Sequence, residues 1–186
     1  MAGEKKYLPI RILHDFAARM EKLGVAYTLT GSMAMMKYAV YRLTADVDII
    51  LELAIQDAEK IIEILEPDYY VPHNAVRRAI AERRMFNVIH QETVFKIDCV
   101  IRKSNNFQKN AFGRREKTDF SGREIWIITK EDLIISKLWR AKDSRSEKQL
   151  TDVKNLMRGG FDTGYTEKWT RELGVYDLFA ICRKEI

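Results

Sequence analysis

The chain has 186 residues, of which 46% are hydrophobic and 32% charged, with a formal net charge of +5. That length suits one domain, or one domain with a small appendage, and it buries a real core. No apolar run approaches the roughly 20 residues that span a bilayer, and the polar stretch from Met1 to Lys6 has no signal-peptide core, so the expected location is the cytoplasm.

Apolar residues at helical spacing (Leu8, Ile12, Phe16, Met20, Leu23) predict a first helix over Tyr7 to Leu23, stopped by Gly24 at the C-cap position. Val25 to Thr30 reads as a short strand, Gly31-Ser32 as a turn, and Met33 to Tyr41 as a helix starting directly after it. The first backbone N–H groups of such a helix are unpaired and, with the helix dipole, favour an anion. Gly31 lets the backbone approach a ligand, and Ser32 offers a hydroxyl to a phosphate oxygen.

Asp46 to Leu53 follows as a strand, and alternation puts Asp46, Asp48 and Ile50 on one face with Val47, Ile49 and Leu51 on the other. Gln56 to Leu65 is an amphipathic helix closed by Pro67, Tyr69 to Val71 a short strand, and Asn74 to Arg84 a short basic helix. Met85 to His90 and Thr93 to Ile101 are strands joined as a hairpin through Gln91 and Glu92. On the second of these, Lys96, Asp98 and Val100 share a face. A polar, basic stretch leads to the last strand, Glu124 to Ile128. Thr129 caps a helix reaching about Lys142, with Asp132 three residues on as a variant of the capping box. A further helix runs from about Ser146 to Met157, ending at Gly159-Gly160, and the aromatic tail (Trp169, Tyr176, Phe179) is helical and packs on the body.

Two ionised carboxylates on one face of a buried strand are costly to desolvate and resist joint ionisation, and a divalent cation removes both objections. Asp46, Asp48 and the later Asp98 therefore suggest a metal site. The two cysteines, Cys99 and Cys182, lack metal-type spacing and read as buried or incidental thiols. His14, His73 and His90 have no zinc spacing and read as packing or surface residues. Cations cluster from Arg102 to Lys117 (Arg102, Lys103, Lys109, Arg114, Arg115, Lys117) and at Arg77, Arg78, Arg83 and Arg84. Such clusters attract phosphate-bearing partners or form an ordinary solvated face.

Gly-Ser at a strand-to-helix turn, thirteen residues (33–45) before Asp46-Val47-Asp48, with a third acid on a later strand, resembles the nucleotidyltransferase superfamily typified by DNA polymerase β. The similarity is greatest to small stand-alone prokaryotic members, including abortive-infection type toxins. It extends to Arg42-Leu43-Thr44-Ala45-Asp46-Val47-Asp48 and to the helix Glu131-Asp132-Leu133-Ile134-Ile135-Ser136-Lys137-Leu138. The resemblance implies an α/β (α+β) fold: a small, twisted, mixed sheet with helices mainly on one face. Residues 1–128 would form the catalytic core and residues 129–186 a helical part packed on it.

The resemblance further implies an enzyme that moves a nucleoside monophosphate from a triphosphate, such as ATP, to a hydroxyl and releases pyrophosphate. Asp46, Asp48 and Asp98 would hold two Mg²⁺ ions, which suit oxygen-only ligands, and Asp98 would also attend the acceptor hydroxyl. Gly31, Ser32 and Lys137 would hold the triphosphate, and Arg42 would contact nucleotide or orient the acid-bearing strand. For Lys137 the alternative is a surface lysine, and for Asp98 a structural salt bridge to an arginine such as Arg42. A small molecule, a protein or a tRNA or RNA end could be the acceptor, with the basic stretch tilting towards nucleic acid. A toxin of this kind would have a cognate antitoxin. The presence of all three acids favours a live enzyme over a binding module that kept the fold.

Overall fold

The computed structural model describes residues 2–39 and 46–186. Helix α1 (Ala2–Leu23) buries Leu13, Phe16, Ala17 and Met20 completely. Gly24 ends it in the left-handed conformation (φ +69°), and the Val25 amide returns to the Met20 carbonyl, a closure in which glycine carries no Cβ penalty. Strand β1 (Tyr27–Thr30) passes straight into α2 (Gly31–Tyr38), with Gly31 as the first helical residue. Strand β2 (Asp46–Leu51) is followed by a 3₁₀ turn (Ile55–Asp57), α3 (Ala58–Leu65) and the two-residue β3 (Tyr69–Tyr70). The expected helix over Gln56 to Leu65 thus divides in two: the Asp57 carboxylate accepts from the Ala54 amide at 2.9 Å and tightens the first turn.

Helix α4 (His73–Glu82) leads to the hairpin β4 (Met85–His90) and β5 (Lys96–Ile101). Its connection has five residues, not the two expected. The Val94 amide donates to the His90 carbonyl at 2.8 Å with Val94 at φ +56°, so the strand starts at Lys96 and not at Thr93. The stretch expected to be an irregular polar connection contains α5 (Asn106–Gly113) and β6 (Glu116–Asp119) before β7 (Glu124–Ile127). Asn105 caps α5 by accepting from the Gln108 amide, and only Phe107, Ala111 and Phe112 turn inward. Strand β6 is a mostly exposed edge without apolar alternation, so its side chains carry no strand signal, although Lys117 reaches Glu124 on β7 at 3.7 Å.

The C-terminal helices are α6 (Lys130–Ala141), α7 (Glu147–Met157), α8 (Thr163–Glu172) and α9 (Tyr176–Lys184). Thr129 caps α6 as expected: its Oγ1 accepts from the Asp132 amide and donates to Asp132 Oδ2 at 2.7 Å. Among the described residues the sheet is mixed and seven-stranded, in the order β3-β4-β5-β2-β1-β7-β6. Strand β2 lies antiparallel to β1 and parallel to β5, and β7 lies parallel to β1. One hydrophobic cluster runs from α1 through the sheet to Val153, Phe179 and Cys182. Both cysteines are buried in it. Among the described residues no helix is long and apolar enough to cross a membrane.

Candidate active site

Two adjoining strands bring the acids together, and a third sets the helix N-terminus beside them. In the parallel β2–β5 pair Asp48 stands opposite Asp98 and Asp46 opposite Lys96, so alternation places all four side chains on one face of the sheet. The opposite face of the same strands (Val47, Ile49, Leu51, Ile97, Cys99 and Ile101) is fully buried, which fixes the register, since a one-residue slip would drive the carboxylates into the core. Across β1–β2, Thr30 pairs with Asp48, so the strand that ends in α2 delivers the helix N-terminus beside the second acid.

Gly31 is required there twice over. Its φ is +68°, and a Cβ built on it would lie 1.9 Å from Asp48 Oδ2. The Asp48 carboxylate is therefore packed against the first backbone unit of α2. Burial pushes its acid strength down, that is, its pKa up; Arg140 opposes this, while Asp46 and Asp98 reinforce it and Lys137 opposes it again. Arg140 Nη1 lies 3.8 Å from Asp48 Oδ1.

Asp98 is only 8% exposed. Among the described residues a lysine on its own strand is its partner: Lys96 Nζ lies 2.9 Å from Oδ1 and donates to Oδ2 at 3.0 Å. The same ammonium is 3.9 Å from Asp46 Oδ2. With its amide turned so that both ends are satisfied, Asn87, the cross-strand neighbour of Asp98 on β4, also donates to Asp98 Oδ1 at 2.9 Å. The hydrogen bond to Asp98 holds the Lys96 pKa above its ordinary value, with Asp98, Asp46 and Asp48 adding Coulombic support against some desolvation.

A cleft of about 150 Å³ opens over this face. Gly31, Ser32, Asp46 and Asp48 form one side of it, and Lys137 and Arg140 from α6 with Lys148 and Gln149 from α7 form the other. Lys137 is not a surface lysine, the alternative to phosphate contact; it is 3% exposed and its ammonium meets Asp152 at 2.8 Å and Gln149 at 3.5 Å. This buried pair ties α6 to α7 at the rim of the cleft. Lys137→Met leaves the Asp152 carboxylate buried without that partner, and a loss of about 3–5 kcal/mol is expected in denaturant melts; Lys137→Met with Asp152→Leu should recover most of it.

Of the other cleft residues, Arg140 was not singled out by the sequence pattern, and Lys148 resembles a position in the family's C-terminal helical part to which the sequence assigns no individual role. Arg140 lies three residues after Lys137 and so on the same helical face, a signal that was available; Lys148 reaches the cleft only through the packing of α7. Arg42 falls outside the described residues. A larger groove of about 470 Å³ beside α1 and α3 is lined by Asp15, Arg19, Lys22 and Glu63, and Asp15 and Arg19 pair with each other.

Half of the basic stretch is engaged inside the fold. Arg102 pairs with Glu52. Arg114 lies 4.0 Å above the Tyr165 ring and bonds the buried Asp132 at 3.2 Å. Arg115 stacks between Phe112 (4.3 Å) and Trp126 (4.8 Å).

Among the described residues no three Asp, Glu, His or Cys side chains are gathered so as to enclose a metal ion by themselves. The chemistry of the set nevertheless fits a hard cation, because the converging donors are carboxylate oxygens and a positive group already stands among them, the ammonium of Lys96.

The fold and the sequence have known relatives. By structure, the chain is similar to the antibiotic-resistance factor ANT(2″)-Ia in its solution form (TM-score 0.57, 12% identity, covering 95% of this chain and 93% of that one). It is also similar to an antigenic nucleotidyltransferase-like protein from Paracoccidioides brasiliensis (0.53, 12%, 90% and 88%) and to JHP933 from Helicobacter pylori (0.52, 11%, 98% and 93%). At these identities the likeness is one of fold. A search of curated proteins gives no match. The profile of the family described as nucleotidyltransferase of unknown function (DUF6036) matches residues 11–157, a span that contains Gly31, the three acids and both helices of the cleft. The chain belongs to that nucleotidyltransferase family.

Proposed function

We propose that the protein is a Mg²⁺-dependent enzyme that transfers a nucleoside monophosphate from a nucleoside triphosphate to a hydroxyl group. The observation that carries this reading is the adjoining register of Asp46, Asp48 and Asp98 on one sheet face, beside the N-terminus of α2. In the reaction the acceptor oxygen bonds to the α-phosphorus, the bond to the bridging oxygen breaks, and pyrophosphate leaves. Mg²⁺ held by Asp46, Asp48 and Asp98 would neutralise charge on the attacking and leaving oxygens.

The chain's own groups divide the remaining work. The amides that open α2 and the Ser32 hydroxyl face the cleft as phosphate ligands, favoured by the helix dipole. Exposed Arg140 and Lys148 place positive charge where the β and γ phosphates would lie, and Lys137 holds the helices that carry them. Asp98, which also accepts from Asn87, is oriented to accept the proton of the incoming hydroxyl.

For the acceptor the reading is a small molecule. The tilt towards nucleic acid rests on cations between Arg102 and Lys117, and Arg102, Arg114 and Arg115 are committed to Glu52, Asp132 and aromatic rings. The test is incubation with each α-labelled triphosphate and a cell extract. Label in the low-molecular-mass fraction, resistant to ribonuclease and protease and absent with Asp46→Asn, is the expected result; label on RNA or protein would replace the acceptor assignment, and no label with any triphosphate would sink the transferase reading.

A further inference from the structure

Lys96 stands where a cation is wanted. It is placed by alternation on the acid-bearing face, two residues before Asp98 and opposite Asp46 across the parallel pair. Its ammonium is within 3.0 Å of both Asp98 oxygens and within 3.9 Å of Asp46. The side chain is 40% exposed, so the head reaches the carboxylates from the solvent side on a flexible stem and is not walled in. Asp98, in contrast, is nearly buried, and three carboxylates at adjoining positions repel one another unless something positive is present.

We infer that Lys96 is a built-in counter-ion of the metal site: it holds Asp46 and Asp98 together in the metal-free protein and is displaced from them when a divalent cation enters. The inference rests on the functional reading above. It follows from charge. An ammonium that satisfies the carboxylates lowers the free energy of the empty site, and the same charge repels an incoming cation, so metal affinity is set by the difference. The arrangement would keep the acids poised in the absence of metal and weaken binding of metal without nucleotide, leaving the triphosphate's own negative charge to draw the ions in. Lys96 is a positioning residue here and touches no substrate.

The test uses Mn²⁺ alone as the probe, followed by electron paramagnetic resonance and calorimetry without nucleotide, together with thermal melts in EDTA. Lys96→Met should bind Mn²⁺ about tenfold or more tighter than the unaltered chain, as expected from removing one unit charge a few ångströms away in a partly screened setting. The same variant should melt lower in EDTA, with added Mn²⁺ restoring the loss. Lys96→Arg, which keeps the charge, should follow the unaltered chain in both. Opposite movements of affinity and metal-free stability separate a counter-ion from a merely structural lysine, whose loss would weaken both. Lys96→Gln, neutral but able to donate to Asp98, serves if Lys96→Met does not fold in EDTA. Unchanged or weaker Mn²⁺ binding in the neutral variants, with binding by the unaltered chain abolished in Asp46→Asn and Asp48→Asn, would overturn the inference and leave the transferase reading intact. Mn²⁺ binding indifferent to Asp46→Asn and Asp48→Asn would overturn both.

Discussion

Asp48→Asn is expected to cut nucleotidyl transfer by about a thousandfold or more, the scale of losing a preorganised electrostatic stabiliser at the reacting phosphorus. The same substitution should raise, not lower, the stability of the metal-free protein. Burial holds the folded-state pKa of Asp48 above its ordinary value, with Asp46 and Asp98 adding to the shift and Arg140 and Lys137 opposing it. A carboxyl whose folded pKa exceeds its unfolded one binds more protons in the folded state. Its contribution to stability therefore grows as pH falls from above the folded pKa towards the ordinary carboxylate range, and it is unfavourable at neutral pH. Asparagine has nearly the same shape and no charge to desolvate. Melting temperatures in EDTA between neutral pH and about pH 4, the ordinary carboxylate range, check this: the unaltered chain should gain from acidification relative to Asp48→Asn, and the two curves should converge as the carboxyl becomes protonated. Parallel curves would show that the desolvation of Asp48 is compensated in the folded chain.

Gly31→Ala has the second largest expected effect, and it acts through geometry. The backbone at φ +68° already disfavours a side chain, by about 1 kcal/mol. The added Cβ costs more, because it would sit 1.9 Å from Asp48 Oδ2 and 2.8 Å from Asp48 Cβ. Either the carboxylate turns away or β2 and the start of α2 separate, and both undo the site. A stability loss of about 2–4 kcal/mol is expected from strain and overpacking together, with loss of detectable transfer and weakened triphosphate binding in calorimetry. Asp48→Ala in the Gly31→Ala background relieves the contact with the carboxylate. Recovery of stability without recovery of activity would identify that contact as the cause.

The site was legible in the sequence wherever its residues obey a local rule. Strand alternation placed Asp46 and Asp48 on one face of their strand and Asp98 with Lys96 on one face of theirs, and the strand-to-helix junction at Gly31-Ser32 needed only the stop at Thr30 and the helical pattern beyond it. Thr129 and Asp132 were legible for the same reason, because a cap and its partner are three residues apart. The basic stretch was only partly legible. A run of cations in one dimension reads as a surface, but Arg114 and Arg115 turn to Tyr165, Phe112 and Trp126, partners that come close only once α5, β7 and α8 are packed. Helix α5 and strand β6 were missed because one is a single short helix with three inward residues and the other a mostly exposed edge strand without apolar alternation.

By itself the sequence determined which residues lie on which face of their own element, because side-chain direction along a strand or helix is a local consequence of backbone geometry. It determined the alternation in β2 and β5, the anion-ready start of α2, and Lys96 on the side of Asp98. The tertiary structure alone decided register and partners across elements: Asp48 opposite Asp98, Lys96 opposite Asp46, the Asp48 carboxylate against Gly31, and Lys137 with Asp152 rather than solvent. Those pairings depend on how the buried faces of separate elements fit together, which joins residues tens of positions apart. The same packing brought Arg140 and Lys148 over the acids and so gave a face of carboxylates its opposing wall of positive charge.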